Sequence, residues 1–188
     1  PHKEMLKQNA ITAFHNLSAQ GSLGEKSSFI VSLGVSDQEG VMNINTENNK
    51  KINLNMGFTT QLADWLTGDF KILSSIQEYK SPFNYYNSGL DTSGNGYFGY
   101  YMRWGSYFPY GTYNGVQFRH AAGYMNNASM NKRVENDTRF NTKLTAQVTK
   151  DFNIVGEYSI NKNYLTNKIN GGQIPLWDLW TIAADLVS

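Results

Sequence analysis

Five segments of this chain alternate apolar and polar side chains residue by residue, most over about ten positions. That period belongs to strands with one wet and one apolar face. Residues 27–36 put Phe29, Val31, Leu33 and Val35 on one face and Ser28, Ser32, Gly34 and Ser36 on the other, with Ile30 the exception. Residues 51–62 set Ile52, Leu54, Met56, Phe58 and Leu62 against Lys51, Asn53, Asn55, Gly57, Thr59 and Gln61. Residues 66–77 set Leu66, Phe70, Ile72 and Ile76 against Thr67, Asp69, Lys71 and Gln77. The pattern returns at 138–149, through Phe140, Leu144, Ala146 and Val148, and at 152–161, through Phe152, Ile154, Tyr158 and Ile160. A weaker first strand is expected near 13–22, with Leu17 and Ala19 as its apolar pair.

The charges follow the same parity. Lys51, Asp69, Lys71, Arg139, Lys143 and Glu157 all fall on the polar sides of their strands. Two architectures produce this: a membrane barrel, where a lipid-facing charge near midplane costs roughly 2–4 kcal/mol, and a soluble antiparallel sandwich with one face in water. Length favours the first. About 9–11 residues cross a bilayer at a tilt, whereas strands of globular proteins have a mode near 5–6. The connections alternate too: short at 21–25, 63–65 and 150–151, long at 37–50 and about 78–137. Short turns on one side and long external loops on the other are how outer-membrane barrels are built. Trp65 and Phe152 flank short turns, where an aromatic girdle belongs. The sequence therefore predicts an all-β chain: about six strands (13–22, 27–36, 50–62, 66–77, 138–149, 152–161) of a larger antiparallel transmembrane β-barrel, with an extracellular loop at 78–137. Near-helical spacing of Leu176, Leu179, Trp180, Ala183 and Leu186 predicts a short helix after Pro175.

Composition agrees. Only 16 % of the 188 residues are charged and 14 % are aromatic, while mean hydropathy is −0.49. A net charge of +1 gives no bulk attraction to nucleic acid. With no Cys there is no disulfide framework, thiolate metal site or cysteine nucleophile. No apolar run is long enough for a transmembrane helix.

Specific residues carry a resemblance. Asn16-Leu17-Ser18-Ala19-Gln20-Gly21, followed by Phe29-Ile30-Val31-Ser32-Leu33-Gly34-Val35-Ser36-Asp37-Gln38-Glu39-Gly40, resembles the early barrel strands of SusC/RagA-type TonB-dependent transporters. Thr60-Gln61-Leu62-Ala63-Asp64-Trp65-Leu66 resembles that family's next hairpin. Tyr107-Phe108-Pro109, Tyr113-Asn114-Gly115-Val116 and Thr138-Arg139-Phe140-Asn141 resemble the following loop and strand. Gly21-Ser22 stands where the family has a double Gly, and Phe29 is the aromatic before Ser32-Leu33-Gly34. The resemblance implies import of large nutrients, glycans or sometimes peptides, across the outer membrane of a Bacteroidetes-type bacterium. It implies a SusD-like lipoprotein lid, TonB acting through a plug domain, and outer-membrane lipid as partners. The plug and the remaining strands would lie outside this chain, since the smallest membrane barrels have about eight strands.

Candidate chemistry is sparse, and no enzyme is expected. Gly94-Asn95-Gly96-Tyr97-Phe98-Gly99 has the form of a dinucleotide fingerprint but lacks the strand before and helix after that the mechanism needs. Asp91, Ser93 and Asn95 resemble the first half of a calcium loop, yet Met102 stands where the bidentate Glu belongs. Calcium is the one cofactor the sequence suggests, and an Asn/Gly turn explains the same residues. His2, His15 and His120 are scattered without metal spacing, and His15 is expected on a polar face or at a strand end. Asp37 and Glu39 sit in a turn context that does not support glycosidase work. Trp104, Tyr107, Tyr110 and Tyr113 are candidates for stacking on sugar faces, with Asn114 and Arg103 as polar partners. The competing reading, which we prefer, is that these rings pack the loop on itself or meet the lid, since interfaces are also rich in Tyr and Trp. The alternative function is a soluble antiparallel β module that binds carbohydrate, and such a module would melt cooperatively in plain buffer.

Overall fold

In the computed structural model, residues 5–83, 111–118 and 121–171 are described. The described residues are all-β apart from one short named helix. Six strands form a single antiparallel sheet: β1 (Thr12–Ser22), β2 (Ser27–Glu39), β3 (Asn48–Ala63), β4 (Leu66–Pro82), β7 (Met130–Thr149) and β8 (Phe152–Lys168). They pair in chain order as an up-and-down meander, and the sheet does not close. Between β4 and β7 lie a two-stranded hairpin, β5 (Thr112–Tyr113) and β6 (Val116–Gln117), and the helix α1 (Ala121–Asn127).

Register decides the faces. Gly21, Phe29, Phe58, Phe70, Thr142 and Tyr158 form one row across all six strands. The next row, Ala19, Val31, Met56, Ile72, Phe140 and Ile160, is wholly apolar. Slipping any strand by one residue would turn its apolar set over, so this pattern pins the pairing. Lys51, Asp69, Lys71, Arg139, Lys143 and Glu157 share the opposite face, as expected. His15 does not: it pairs with Val35 on the apolar side. The parity set by Leu17 and Ala19 carries it there, which corrects the polar-face expectation.

The strands run further than the alternation predicted, chiefly at the end remote from the short turns. β4 continues to Pro82, β7 starts at Met130 rather than 138, and β8 continues to Lys168 rather than 161. The connection expected at 78–137 therefore begins and ends as strand. Backbone pairing continues there from Gln77↔Glu135 to Pro82↔Met130 although the side chains no longer alternate. The helix expected at 174–187 lies outside the described residues.

The short-turn ends are staggered. The last register pairs there are Ser22↔Ser28, Ala63↔Leu66 and Thr149↔Phe152. Counted from the row through Phe29, Phe70 and Tyr158, their members Ser28, Leu66 and Phe152 on β2, β4 and β8 lie one, four and six residues beyond it. The turns thus descend five residues, about 17 Å, over four strand steps, about 19 Å. If the turns share one level, the strands are inclined by about 40° to its normal, within the 35–45° typical of closed barrels.

Among the described residues, the buried apolar side chains lie off the sheet except for Pro82 at the end of β4. Met5, Met42, Ala122, Met125 and Ala128 form a small cluster where the β2–β3 connection meets α1. Leu6 pairs with Met42, and the Lys7 and Asn43 amides donate to the carbonyls of Val41 and Met5 at 2.9 and 2.7 Å. Asn45, at φ 42°, donates its side-chain amide to the carbonyls of Met125 (2.6 Å) and Ala128 (3.1 Å) at the end of α1. The Met125 carbonyl also accepts the Ala128 amide at 3.3 Å, and Asn45 ties the two connections together.

Candidate functional site

The apolar face is a band with two different margins. On β3 it runs from Ile52 to Leu62 and on β4 from Leu66 to Ile76. Ten residue steps rise about 33 Å along a strand, or about 25 Å after the tilt, the height of the outward apolar band of outer-membrane barrels. Within it Ile52, Phe58, Ile72, Leu144 and Ile154 are exposed, Ile154 by 54 %. No second layer covers this face among the described residues. At the short-turn margin Trp65 and Phe152 are both more than half exposed, and Phe29, Phe58 and Phe70 form an aromatic row just above.

At the other margin the same face turns ionic. Lys50 pairs with Asp37 (3.1 Å), Lys7 with Glu39 (2.8 Å), and Glu78 bridges Lys80 (3.0 Å) and Lys132 (2.6 Å). Both Asp37 and Glu78 lie beyond the apolar rows. The amide of Asn48, and then Lys50, hold the Asp37 carboxyl below its ordinary pKa. Lys132, and then Lys80, do the same for Glu78. The sequence reading missed this ionic margin because it placed these residues in loops. Continuing the parity past the last apolar residue would have found it.

The polar face divides into two halves. On β1–β3 it presents, apart from Lys51, amides and hydroxyls such as Asn16, Ser18, Gln20, Ser32, Asn53 and Asn55. On β4–β8 it presents charges. Asp69, Lys71, Asn141, Lys143, Glu157 and Ser159 border an open groove of about 430 Å³. Thr59 donates to Asp69 (2.6 Å), Ser159 donates to Asn141 (2.6 Å), and Lys143 stands 3.9 Å from Glu157. These groups can hydrogen-bond and charge-match a polar solute or another polar surface. They offer no activated nucleophile, and His15 projects from the opposite face.

Of the residues expected to contact sugar, Tyr113 and Asn114 fall within the described structure, and Trp104, Tyr107, Tyr110 and Arg103 lie outside it. Tyr113 ends β5. Asn114 and Gly115, at φ 48° and 78°, make the two-residue turn into β6, the Asn-Gly pair such hairpins prefer. The hairpin therefore accounts for the Asn114 backbone without any ligand. The calcium candidates Asp91, Ser93 and Asn95 also lie outside the described residues. Among those described, no three His, Cys, Asp or Glu side chains gather closely enough to hold a metal.

No protein-family model matches the chain, nor does any curated protein or solved structure.

Proposed function

We propose that this chain is a stretch of the wall of an outer-membrane β-barrel that imports large nutrients, of the SusC/RagA-type TonB-dependent class its strands resemble. The carrying observation is the band of apolar side chains about 25 Å high, left uncovered by the rest of the described chain and bounded by turns at one margin and ion pairs at the other. In water that face would leave a large contiguous apolar patch wet, which soluble monomers avoid. In a bilayer the hydrocarbon covers it. The inclination of about 40° inferred from the staggered turns supports the same reading.

On this reading the polar face lines the lumen and the long connections face outward. The glycan or peptide passes the amide and charged halves of that face, and a SusD-like lid closes above the aromatic connection. TonB acts through a plug carried elsewhere in the protein. No covalent chemistry and no cofactor are assigned to this stretch.

The test is a pair of arginines at neighbouring positions of opposite parity. Phe58→Arg places a cation against hydrocarbon and should abolish heat-modifiable assembly of the full-length protein in the outer membrane. Asn55→Arg places it in the lumen and should assemble as wild type. Equal assembly of the two variants would contradict the facing on which the function rests.

A further inference from the structure

Three lysines stand directly opposite one another at the ionic margin. Lys80 pairs in register with Lys132, and Lys132 with Lys168. Neighbouring strands are about 4.8 Å apart, and like charges directly opposite destabilise a sheet. Glu78 relieves two of them, bridging Lys80 and Lys132. Lys168 has no carboxylate partner among the described residues, and neither does Lys162, nearer the apolar band on the same strand. On the other side of the sheet the margin is balanced, Asp37 against Lys50 and Glu39 against Lys7. The positive excess is therefore confined to β4, β7 and β8, where four lysines face one glutamate.

Below Lys168 the same face of β8 carries Tyr164, then Lys162 in a row with Thr138 and Ser74, and then Ile160 in the wholly apolar row. Tyr164 and Ile160 on β8 are at least half exposed, and Phe140 on β7 follows in the same row as Ile160. Cations above an apolar slope are the complement of an amphiphile with an anionic head. We propose that Lys80, Lys132 and Lys168, with Lys162 nearer the hydrocarbon, bind the phosphate groups of a phosphorylated lipid in the leaflet on the long-connection side. Its acyl chains lie along Tyr164, Ile160 and Phe140. This rests on the membrane reading above. Phosphate oxygens accept charge-assisted hydrogen bonds from two ammonium groups on adjacent strands, relieving the repulsion that Glu78 leaves at Lys168. A free phosphate would satisfy the lysines but leave the apolar slope unused, so the lipid is the favoured source.

The experiment uses the full-length protein extracted from outer membranes in mild detergent, with co-purifying phosphorylated lipid measured per protein by native mass spectrometry. Lys168→Gln alone should lower retention about fivefold, the effect of one lysine near an anionic surface. The triple variant K80Q/K132Q/K168Q should lower it more than tenfold. Both should assemble with unchanged heat modifiability. Unchanged retention in Lys168→Gln and the triple variant overturns the proposal, as does stripping of the wild-type lipid by millimolar inorganic phosphate, which would mark a free-anion site. Absence of the wild-type protein from the outer membrane would instead overturn the parent reading, and this proposal with it.

Discussion

Ile30 is the one apolar residue among the polar positions of β2, and its neighbour explains it. Gly57 lies opposite, and a Cβ there would sit 2.8 Å from Ile30 Cγ2. Ile30 thus covers backbone that has no side chain of its own. Its branched Cβ restricts the rotamers by which it could withdraw. Gly57→Val should therefore lower the thermal stability of the detergent-solubilised protein by about 1–3 kcal/mol, and adding Ile30→Ala should recover most of it. A double variant no better than the single would refute the contact. Asn45 makes a second local case. Its amide serves two carbonyls at the end of α1, so Asn45→Ala should cost about 1–3 kcal/mol and speed amide exchange across residues 121–128. Unchanged exchange there would mean that the helix end is held by something else.

At the scale of the strand, alternation and hydrogen bonding part company. Apolar alternation reports which solvent a face meets, whereas the ladder needs only backbone. On β4 alternation stops at Ile76 while pairing runs to Pro82, so the strand looked shorter in sequence than it is. The short-turn ends were legible because Asp64-Trp65 and Lys150-Asp151 interrupt the pattern abruptly. The facing of the six charged residues was legible for the same reason the strands were. His15 was not, because a single polar residue in a weak strand carries too little periodic signal. The ionic margin was hidden because its residues lie past the last alternating apolar positions, in stretches read as loops. Asn114 was readable as half of an Asn-Gly turn, whereas any role in binding sugar has no local signature. The band also makes a graded prediction. Ile72→Arg lies near its middle and should cost roughly 2–4 kcal/mol, whereas Ile76→Arg, at its ionic edge, should cost about 0–1 kcal/mol. Equal losses in unfolding measured in lipid vesicles would argue against a hydrocarbon band in this position.

At the scale of the whole molecule, β1 and β8 are the edges of the open sheet, and among the described residues no strand pairs with their outer sides. Within hydrocarbon such edges are not tolerated, so the account requires further strands to close the wall. The 188 residues expressed alone should fail to give a cooperative melt in buffer without detergent; a sharp transition there would favour a soluble module. The central claim is that even-numbered residues of β3 meet lipid and odd-numbered ones meet water. The chain contains no cysteine, so the decisive measurement is a nitroxide attached to single cysteines introduced in turn at 52–62, in the full-length protein in lipid bilayers. Relaxation by oxygen should peak at 52, 54, 56, 58 and 62, and relaxation by a water-soluble nickel chelate at 53, 55, 57, 59 and 61. Even-numbered positions shielded from both reagents, as in a closed soluble core, would contradict the account.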